Sequence, residues 1–249
     1  MTFDRRYIII GDVHGNWRGV DDLLEKARYE PATDRVIFVG DYNDHYANTD
    51  GSIRKVIDLL IELRERSPDN IFFIRGNHDL WFAEWLVGGE VPPEIWYVQG
   101  GRKTMESYGI FVGPGTRDER EKIPKSHQDF ICNLVDQYYL DDHVVVIHGG
   151  FTSERQMQVM VSGGQLSDGE LENLVWDRYF IFTEDDTDHA LYLRYFGERY
   201  LITGHTAEGP YVNPRNPKWI LINSASRGEN LSAVVIEDEQ TYEFVCEGR

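Results

Sequence analysis

The sequence predicts an α/β protein whose carboxy-terminal part is antiparallel. Three observations carry that expectation. Short apolar runs ending at or near glycine alternate with amphipathic stretches over about the first 80 residues. Helix-start signals stand ahead of several of those stretches. Beyond Tyr200 the apolar runs follow one another with no helix between them.

Tyr7–Ile10 is an apolar run that stops at Gly11, as a buried strand does. Trp17, Val20, Leu23, Leu24 and Ala27 then recur at helical spacing, with Asn16 in the capping position. Arg35–Val39 is the second strand. Ile53, Val56, Ile57, Leu60 and Ile61 mark a second helix, closed by Ser67 and Pro68. Ile71–Ile74 is the third strand, so the chain begins β-α-β-α-β. Gly88, Gly89, Pro92 and Pro93 punctuate the middle, before a helix around Lys103–Tyr108 and a short strand at Ile110–Val112. Asp129–Tyr139 is expected to be helical and Val144–Ile147 a buried strand. Ser167 and Glu170 form a capping box ahead of Leu171, Leu174 and Val175. Tyr200–Thr203 is a strand. Trp219–Ile222, Leu231–Glu237 and Thr241–Cys246 are expected to be antiparallel strands.

The 249 residues suit one α/β domain, 1–249, with no repeat or linker to divide it. Lys and Arg number 25 against 43 Asp and Glu, a net charge of −18, which argues against nucleic-acid backbone binding. Bound divalent cations reverse such a field locally, so an anionic substrate stays open. Two cysteines make no disulfide framework, and no CxxC pair offers a zinc site. No apolar run nears membrane-spanning length, and the first is too short for a signal peptide. The expectation is a soluble, cytoplasmic protein without membrane contact, its oligomeric state left open.

The polar chemistry gathers where strands end. Gly11-Asp-Val-His-Gly, Gly40-Asp-Tyr-Asn-Asp-His, Gly76-Asn-His-Asp, His148-Gly-Gly and Gly204-His-Thr each follow an apolar run. In α/β sheets ligands bind beyond the carboxyl ends of the strands. Asp12, His14, Asp41, Asn77, His148 and His205 supply oxygen and nitrogen donors with no thiolate. That set suits Mn²⁺, Fe or Zn²⁺, and Mg²⁺ less well. Six donors exceed what one ion with an open position needs, but fit two ions sharing a carboxylate. Paired ions suit phosphoester hydrolysis.

These ordered motifs resemble the calcineurin-like metallophosphoesterase superfamily, in the PPP form of bacterial and lambda-phage protein phosphatases. The resemblance spans residues 7 to about 235. It implies a central β-sandwich of mixed sheets flanked by helices. It also implies two divalent metal ions, most often manganese, held by Asp12 and His14, by a bridging Asp41, and by Asn77, His148 and His205. His78 matches the histidine that protonates the leaving oxygen, and Asp44 the aspartate that orients it. Leu174-Val-Trp-Asp-Arg resembles the family's LxWxR segment and makes Arg178 the phosphate clamp. Gly204-His-Thr lacks the second histidine of the nuclease-like branch, which favours the PPP type.

Two positions depart from the pattern. His45 stands where relatives carry a phosphate-binding arginine, so a fixed positive charge is missing and phosphate binding is expected to weaken. Asp79 follows His78 where eukaryotic protein phosphatases have Glu, and Asp79-Leu80-Trp81 looks like the bacterial diadenosine-tetraphosphate hydrolases. The expected function is therefore a protein phosphatase, acting on phosphoserine, phosphothreonine or phosphotyrosine, in which metal-activated water attacks phosphorus directly. A dinucleoside tetraphosphate hydrolase is the alternative, and a non-catalytic phosphoprotein-binding module ranks last because every ligand is present. The expected substrates are phosphorylated proteins or small phosphoesters. Gly88–Tyr108 and Gly163–His189 are where substrate specificity is expected. Other features have plainer readings. Trp81, Phe82 and Trp85 read as a packed helix face, Glu184–Asp188 as a solvated acidic loop, and Cys132 as a core residue.

Overall fold

Strand β1, Tyr7–Ile10, is buried along its whole length, and its side chains divide between two cores. Ile8 and Ile10 pack toward helices, whereas Tyr7 and Ile9 pack toward a second sheet. This follows from the period-two alternation of side chains in a strand covered on both faces. β2, Arg35–Phe38, divides in the same way, with Val36 and Phe38 to the helices and Ile37 between the sheets. The computed structural model describes residues 5–44, 52–88, 94–111, 119–206, 210–222, 230–238 and 242–246.

The remaining strands are β3 (Ile71–Phe73), β4 (Tyr139–Leu140), β5 (Val144–Val146), β6 (Tyr200–Thr203), β7 (Tyr211–Val212), β8 (Trp219–Leu221), β9 (Ser232–Ile236) and β10 (Tyr242–Cys246). They form two five-stranded mixed sheets, in the orders β10-β9-β1-β2-β3 and β4-β5-β6-β8-β7. β1, β2 and β3 are parallel, while β9 runs antiparallel to β1 and β10. β5, β6 and β8 are parallel, with β4 and β7 antiparallel at the edges. Tyr7, Ile9, Ile37, Val144, Val146, Ile202, Ile220 and Val234 fill the space between the sheets. The first sheet's outer face is covered by α1 (Trp17–Lys26), α2 (Ser52–Arg66) and α3 (Asn77–Leu86). The second is covered by α7 (Glu154–Val161), α8 (Asp168–Trp176) and α9 (Asp186–Phe196). The expected sandwich of mixed sheets flanked by helices is the observed architecture. Among the described residues no helix is long and apolar enough to cross a membrane.

Local expectations hold where capping chemistry was explicit. Asn16 accepts from the Gly19 N–H at 3.0 Å. Ser167 and Glu170 cap α8 reciprocally. Four expectations are corrected. Trp219–Leu221 runs parallel to β6, because apolar patterning identifies a strand and carries nothing about its direction. Ile110 and Phe111 lie in no strand, and Val112 is outside the described residues. The helix expected at Asp129–Tyr139 starts earlier, as α6 (Lys125–Asp129) after Pro124, and continues as a π-type turn over Phe130–Leu134; Tyr139 already belongs to β4. Glu184–Asp188 is not a free loop. Asp185 accepts from the Thr187 N–H at 2.7 Å and caps α9, whose first turn holds Asp186 and Asp188. Carboxylates there meet the positive end of the helix dipole.

A polar clasp ties the sheets together at the amino ends of their strands. The Asp141 carboxylate accepts from Tyr7 Oη at 2.7 Å and Arg35 at 3.1 Å, both in the first sheet. It also accepts from Tyr139 Oη at 2.8 Å and from the N–H groups of His143 and Val144 at 2.8 and 3.0 Å.

Candidate active site

The carboxyl ends of β1, β2, β3, β5 and β6 converge on one buried polar cluster. Asp12, His14, Asp41, Asp44, Asn77, His148 and His205 are all buried. The backbone there is strained. His14, Asp41, Asp44 and His205 have φ of 40°, 53°, 59° and 67°, a region non-glycine residues seldom enter. Gly40 (φ 117°) makes the close approach possible, because a Cβ there would lie 2.6 Å from the Gly76 nitrogen and 2.8 Å from His148 Nδ1.

Asp41 is the centre. Its Oδ1 accepts from the His78 N–H at 3.0 Å. Its Oδ2 lies 3.5 Å from His14 Nε2 and 3.4 Å from His148 Nε2. Asp41 is therefore shared by two sets of donor atoms, His14–Asp41–His78 and Asp41–His148–His205, each set within 4.8 Å of one another. The Asn77 side-chain oxygen lies 3.0 Å from His148 Nε2. Asp12 is outside both sets. Its carboxylate accepts from the His205 N–H at 3.0 Å and stands 3.9 Å from His148 Nδ1.

Backbone carbonyls orient the imidazoles. His14 Nδ1 donates to the carbonyls of Asn43 and Asp44 at 2.8 and 2.7 Å, and His148 Nδ1 to that of Val39 at 2.9 Å. Each Nε2 is thereby turned into the cluster, the arrangement by which outer partners present a histidine to a cation. His205 Nε2 is buried with no hydrogen-bond partner among the described residues. Two buried carboxylates, two imidazole nitrogens aimed inward and one orphaned imidazole nitrogen fit divalent cations.

Charge in the cluster is strongly redistributed. Burial opposes ionisation of Asp41, but His148 and His78 outweigh it and hold the carboxyl well below its usual range. Burial pushes Asp12 up, against the pull of His148. Burial pushes His205 down to about 2, helped by the charges of His148 and Arg178. His148 is raised to about 9, because Asp41 and Asp12 overcome its burial. A cation binding there displaces that proton, so metal affinity falls as pH is lowered.

His78 Nδ1 donates to Asp44 Oδ2 at 2.7 Å, so the expected pair is in contact. Burial disfavours the imidazolium, but Asp41 and Asp44 prevail and raise His78 to about 9. Arg178 is exposed beside the cluster, where one guanidinium N–H donates to the His205 carbonyl at 3.1 Å. A guanidinium has five N–H donors, enough to meet that carbonyl and an anion together. His45 lies outside the described residues.

Sequence reasoning missed several residues. Asp79, taken there as a mark of substrate class, is fully buried. It accepts from the N–H groups of Gly76, Asp41 and Tyr42 at 2.8, 2.7 and 3.0 Å, capping α3 and pinning the Asp41 turn. Asn43, fully buried, donates to the His78 carbonyl at 3.2 Å. Phe82 and Trp85 are core residues as expected, and Trp81 packs against the same core while its ring also lies 5.2 Å from that of His78 and 5.0 Å from that of Trp176. Trp96 and Thr104 contact Asp44, although their segment was expected to shape substrate specificity.

Comparison with known proteins places this geometry. A serine/threonine-protein phosphatase PP2A-like PPG1 from Saccharomyces cerevisiae is 24% identical over 174 residues, 68% of this chain and 40% of that protein. The chain spans less than half the length of the curated relatives it matches. A Saccharomyces cerevisiae serine/threonine phosphatase structure with similarity to human phosphatase PP5 aligns with a TM-score of 0.63 at 16% identity, covering 99% of this chain and 81% of that one. A structure provisionally described as a diadenosine tetraphosphatase aligns with a TM-score of 0.58 at 19% identity, covering 98% and 96%. At such identities the structures establish the fold. The family assignment rests on the match of residues 5–209 to the calcineurin-like phosphoesterase model, and the chain belongs to that family.

Proposed function

We propose that the chain is a dinuclear-metal phosphoester hydrolase, most active as a phosphatase on phosphorylated protein side chains. The observation that carries this reading is the position of Asp41 in both donor sets at once, the arrangement of a carboxylate bridging two cations. His14 and Asp12 would complete one side, and Asn77, His148 and His205 the other. Manganese is the favoured metal, with iron and zinc as alternatives. Bound cations there supply Lewis-acid charge for the phosphoryl group and lower the pKa of water.

The chain's own residues do the rest. Arg178, anchored at the His205 carbonyl, holds phosphoryl oxygens with its remaining donors. His78, with Nδ1 committed to Asp44, presents Nε2 to the departing oxygen and gives it a proton. Water supplies the oxygen that joins phosphorus, so the products are an alcohol and inorganic phosphate. A cleft of about 580 Å³ is lined by Thr152, Glu154, Thr183 and by Asp177 and Tyr179, the neighbours of Arg178 in sequence.

The test is a parallel rate assay. Metal-stripped protein is reloaded with Mn²⁺ and given phosphoserine peptide, phosphotyrosine peptide or diadenosine tetraphosphate. The expected result is metal-dependent phosphate release, faster from peptides. Faster nucleotide cleavage would replace the protein-phosphatase reading, and no turnover of any substrate would remove the hydrolase reading.

A further inference from the structure

Asp44 is only 1% exposed, yet its carboxylate receives three side-chain donors. Oδ2 accepts from His78 Nδ1 and from Trp96 Nε1, each at 2.7 Å, and Oδ1 accepts from Thr104 Oγ1. Thr104 Oγ1 also accepts from the Asp44 N–H at 3.0 Å. Thr104 therefore grips both the backbone and the side chain of a residue held at φ 59°. Two of these donors come from one irregular segment. It runs through α4 (Glu94–Trp96), a π-type turn over Tyr97–Gly101 and α5 (Arg102–Ser107). The turn breaks helical geometry at Gly100 and folds back so that a Cβ on Gly101 would lie 2.4 Å from the Trp96 ring. Trp96 and Thr104 are both fully buried, so each must find a partner for its N–H or O–H, and Asp44 is that partner.

The geometry points to Trp96 and Thr104 as positioning residues that lock Asp44 so that His78 can deliver its proton to the leaving oxygen. This inference rests on the phosphoester-hydrolase reading. Asp44 without these donors is free to rotate about its Cβ–Cγ bond, and the His78 ring loses its fixed direction. As the phosphorus–oxygen bond breaks, its electron pair goes to the leaving oxygen, which takes the proton from His78 Nε2. The proton released by the attacking water restores the balance. An activated aryl oxygen leaves readily without that proton, whereas a serine alkoxide does not. Loss of positioning must therefore be graded by leaving group, which a general packing defect is not.

The experiment compares Mn²⁺-loaded wild type with Trp96→Phe, Thr104→Val and Thr104→Ser on esters from 2,4-dinitrophenyl phosphate to a phosphoserine peptide. Trp96→Phe and Thr104→Val are expected to lower kcat roughly ten- to a hundredfold on the peptide, the scale of losses at outer supporting groups, and only about threefold on the aryl ester. Thr104→Ser keeps the hydroxyl and restores most of the peptide rate. Equal losses on all esters, or none, would overturn the assignment. A second readout needs no turnover. The His78 Nδ1 proton should give a far-downfield resonance in wild type that is missing in His78→Ala and broadened in Trp96→Phe and Thr104→Val. An unchanged resonance in both positioning variants sinks the inference, whereas failure of wild type to hydrolyse any ester sinks the functional reading instead.

Discussion

At the amino ends of β1, β2 and β5, Asp141 accepts five hydrogen bonds from Tyr7, Arg35, Tyr139 and the N–H groups of His143 and Val144. At the carboxyl ends of the same strands, Asp41 Oδ2 faces two imidazole nitrogens at 3.5 and 3.4 Å, neither within hydrogen-bond distance on normal criteria. Both sites are carboxylates between two sheets. In the first, donors meet an acceptor and the backbone is relaxed. In the second, buried groups of opposite charge crowd together and four residues sit at positive φ. One end holds the sandwich closed, and the other stores charge and strain for a cation. Local stability and function have thus been placed at opposite ends of the same strands.

The comparison breaks most visibly at its catalytic end. Asp41→Asn replaces a charged oxygen shared by both donor sets with a neutral amide. The expected loss in kcat/KM is roughly a thousandfold, on the scale of removing one preorganised electrostatic group. Metal analysis of purified protein should find fewer than two Mn²⁺ per chain. Two bound ions with a wild-type rate would contradict the bridging role.

Asp79→Asn probes the scaffold of that end. Asp79 receives three backbone N–H groups, and an amide can accept only on one side. The Asp41 turn should loosen and Mn²⁺ affinity fall by about ten- to a hundredfold, read by titration calorimetry. The ratio of peptide to diadenosine-tetraphosphate hydrolysis should not move. A changed ratio would return Asp79 to the substrate side.

Asp141→Asn tests the other end. Burial alone would raise the Asp141 carboxyl, but the hydrogen bonds from His143, Tyr7, Tyr139 and Val144 outweigh it and hold it below the usual range. An unfolded aspartate titrates near ~3.9. The ionised carboxylate thus contributes stability that is complete above that value and is lost as pH falls through the lower folded value. The variant should be about 2–4 kcal/mol less stable at neutral pH, with kcat near wild type while folded. The Tm gap to wild type should stay constant from neutral pH down to about 5 and close below about 4. A gap that persists unchanged into stronger acid would contradict the clasp.

The two ends were unequally legible in sequence. Asp12, His14, Asp41, Asn77, His148 and His205 could be gathered because each follows a strand, and strand ends share an edge in an α/β sheet. The burial of Tyr7–Ile10 on both faces was legible from its unbroken apolar run. The clasp was not, since Asp141 and Tyr7 are 134 positions apart and belong to no shared pattern. Thr104 and Trp96 gave no signal either, because their partner is reached through a turn at Gly100 that no periodicity describes. Asp79 was seen only as a mark of a branch, and its hold on the Asp41 turn was not legible, because its three partners are backbone N–H groups, which a sequence does not spell. Trp219–Leu221 was recognised as a strand, but its direction depends on a crossover that local patterning does not encode.

The smallest expected effect sharpens the comparison most. Tyr7→Phe removes one donor from Asp141 and leaves the ring between the sheets, where Tyr7 is 1% exposed. The Tyr7 hydroxyl is itself driven far above its ordinary pKa by burial and by Asp141, so it stays a donor throughout the accessible range. Its loss should cost about 1–2 kcal/mol, the contribution of one hydrogen bond to a charged group. With one donor fewer, the folded pKa of Asp141 rises toward that of the unfolded chain. The acid limb of the stability curve must then still begin near the unfolded value, but end at higher pH than in wild type and be smaller in amplitude. Mn²⁺ affinity and kcat should remain within about twofold, since additivity holds for sites without shared partners. A Tyr7→Phe protein that lost metal binding in step with stability would mean that the ends are mechanically coupled through β1. An acid limb that moved without change in the metal site would establish that closure and catalysis are separable along a strand only four residues long.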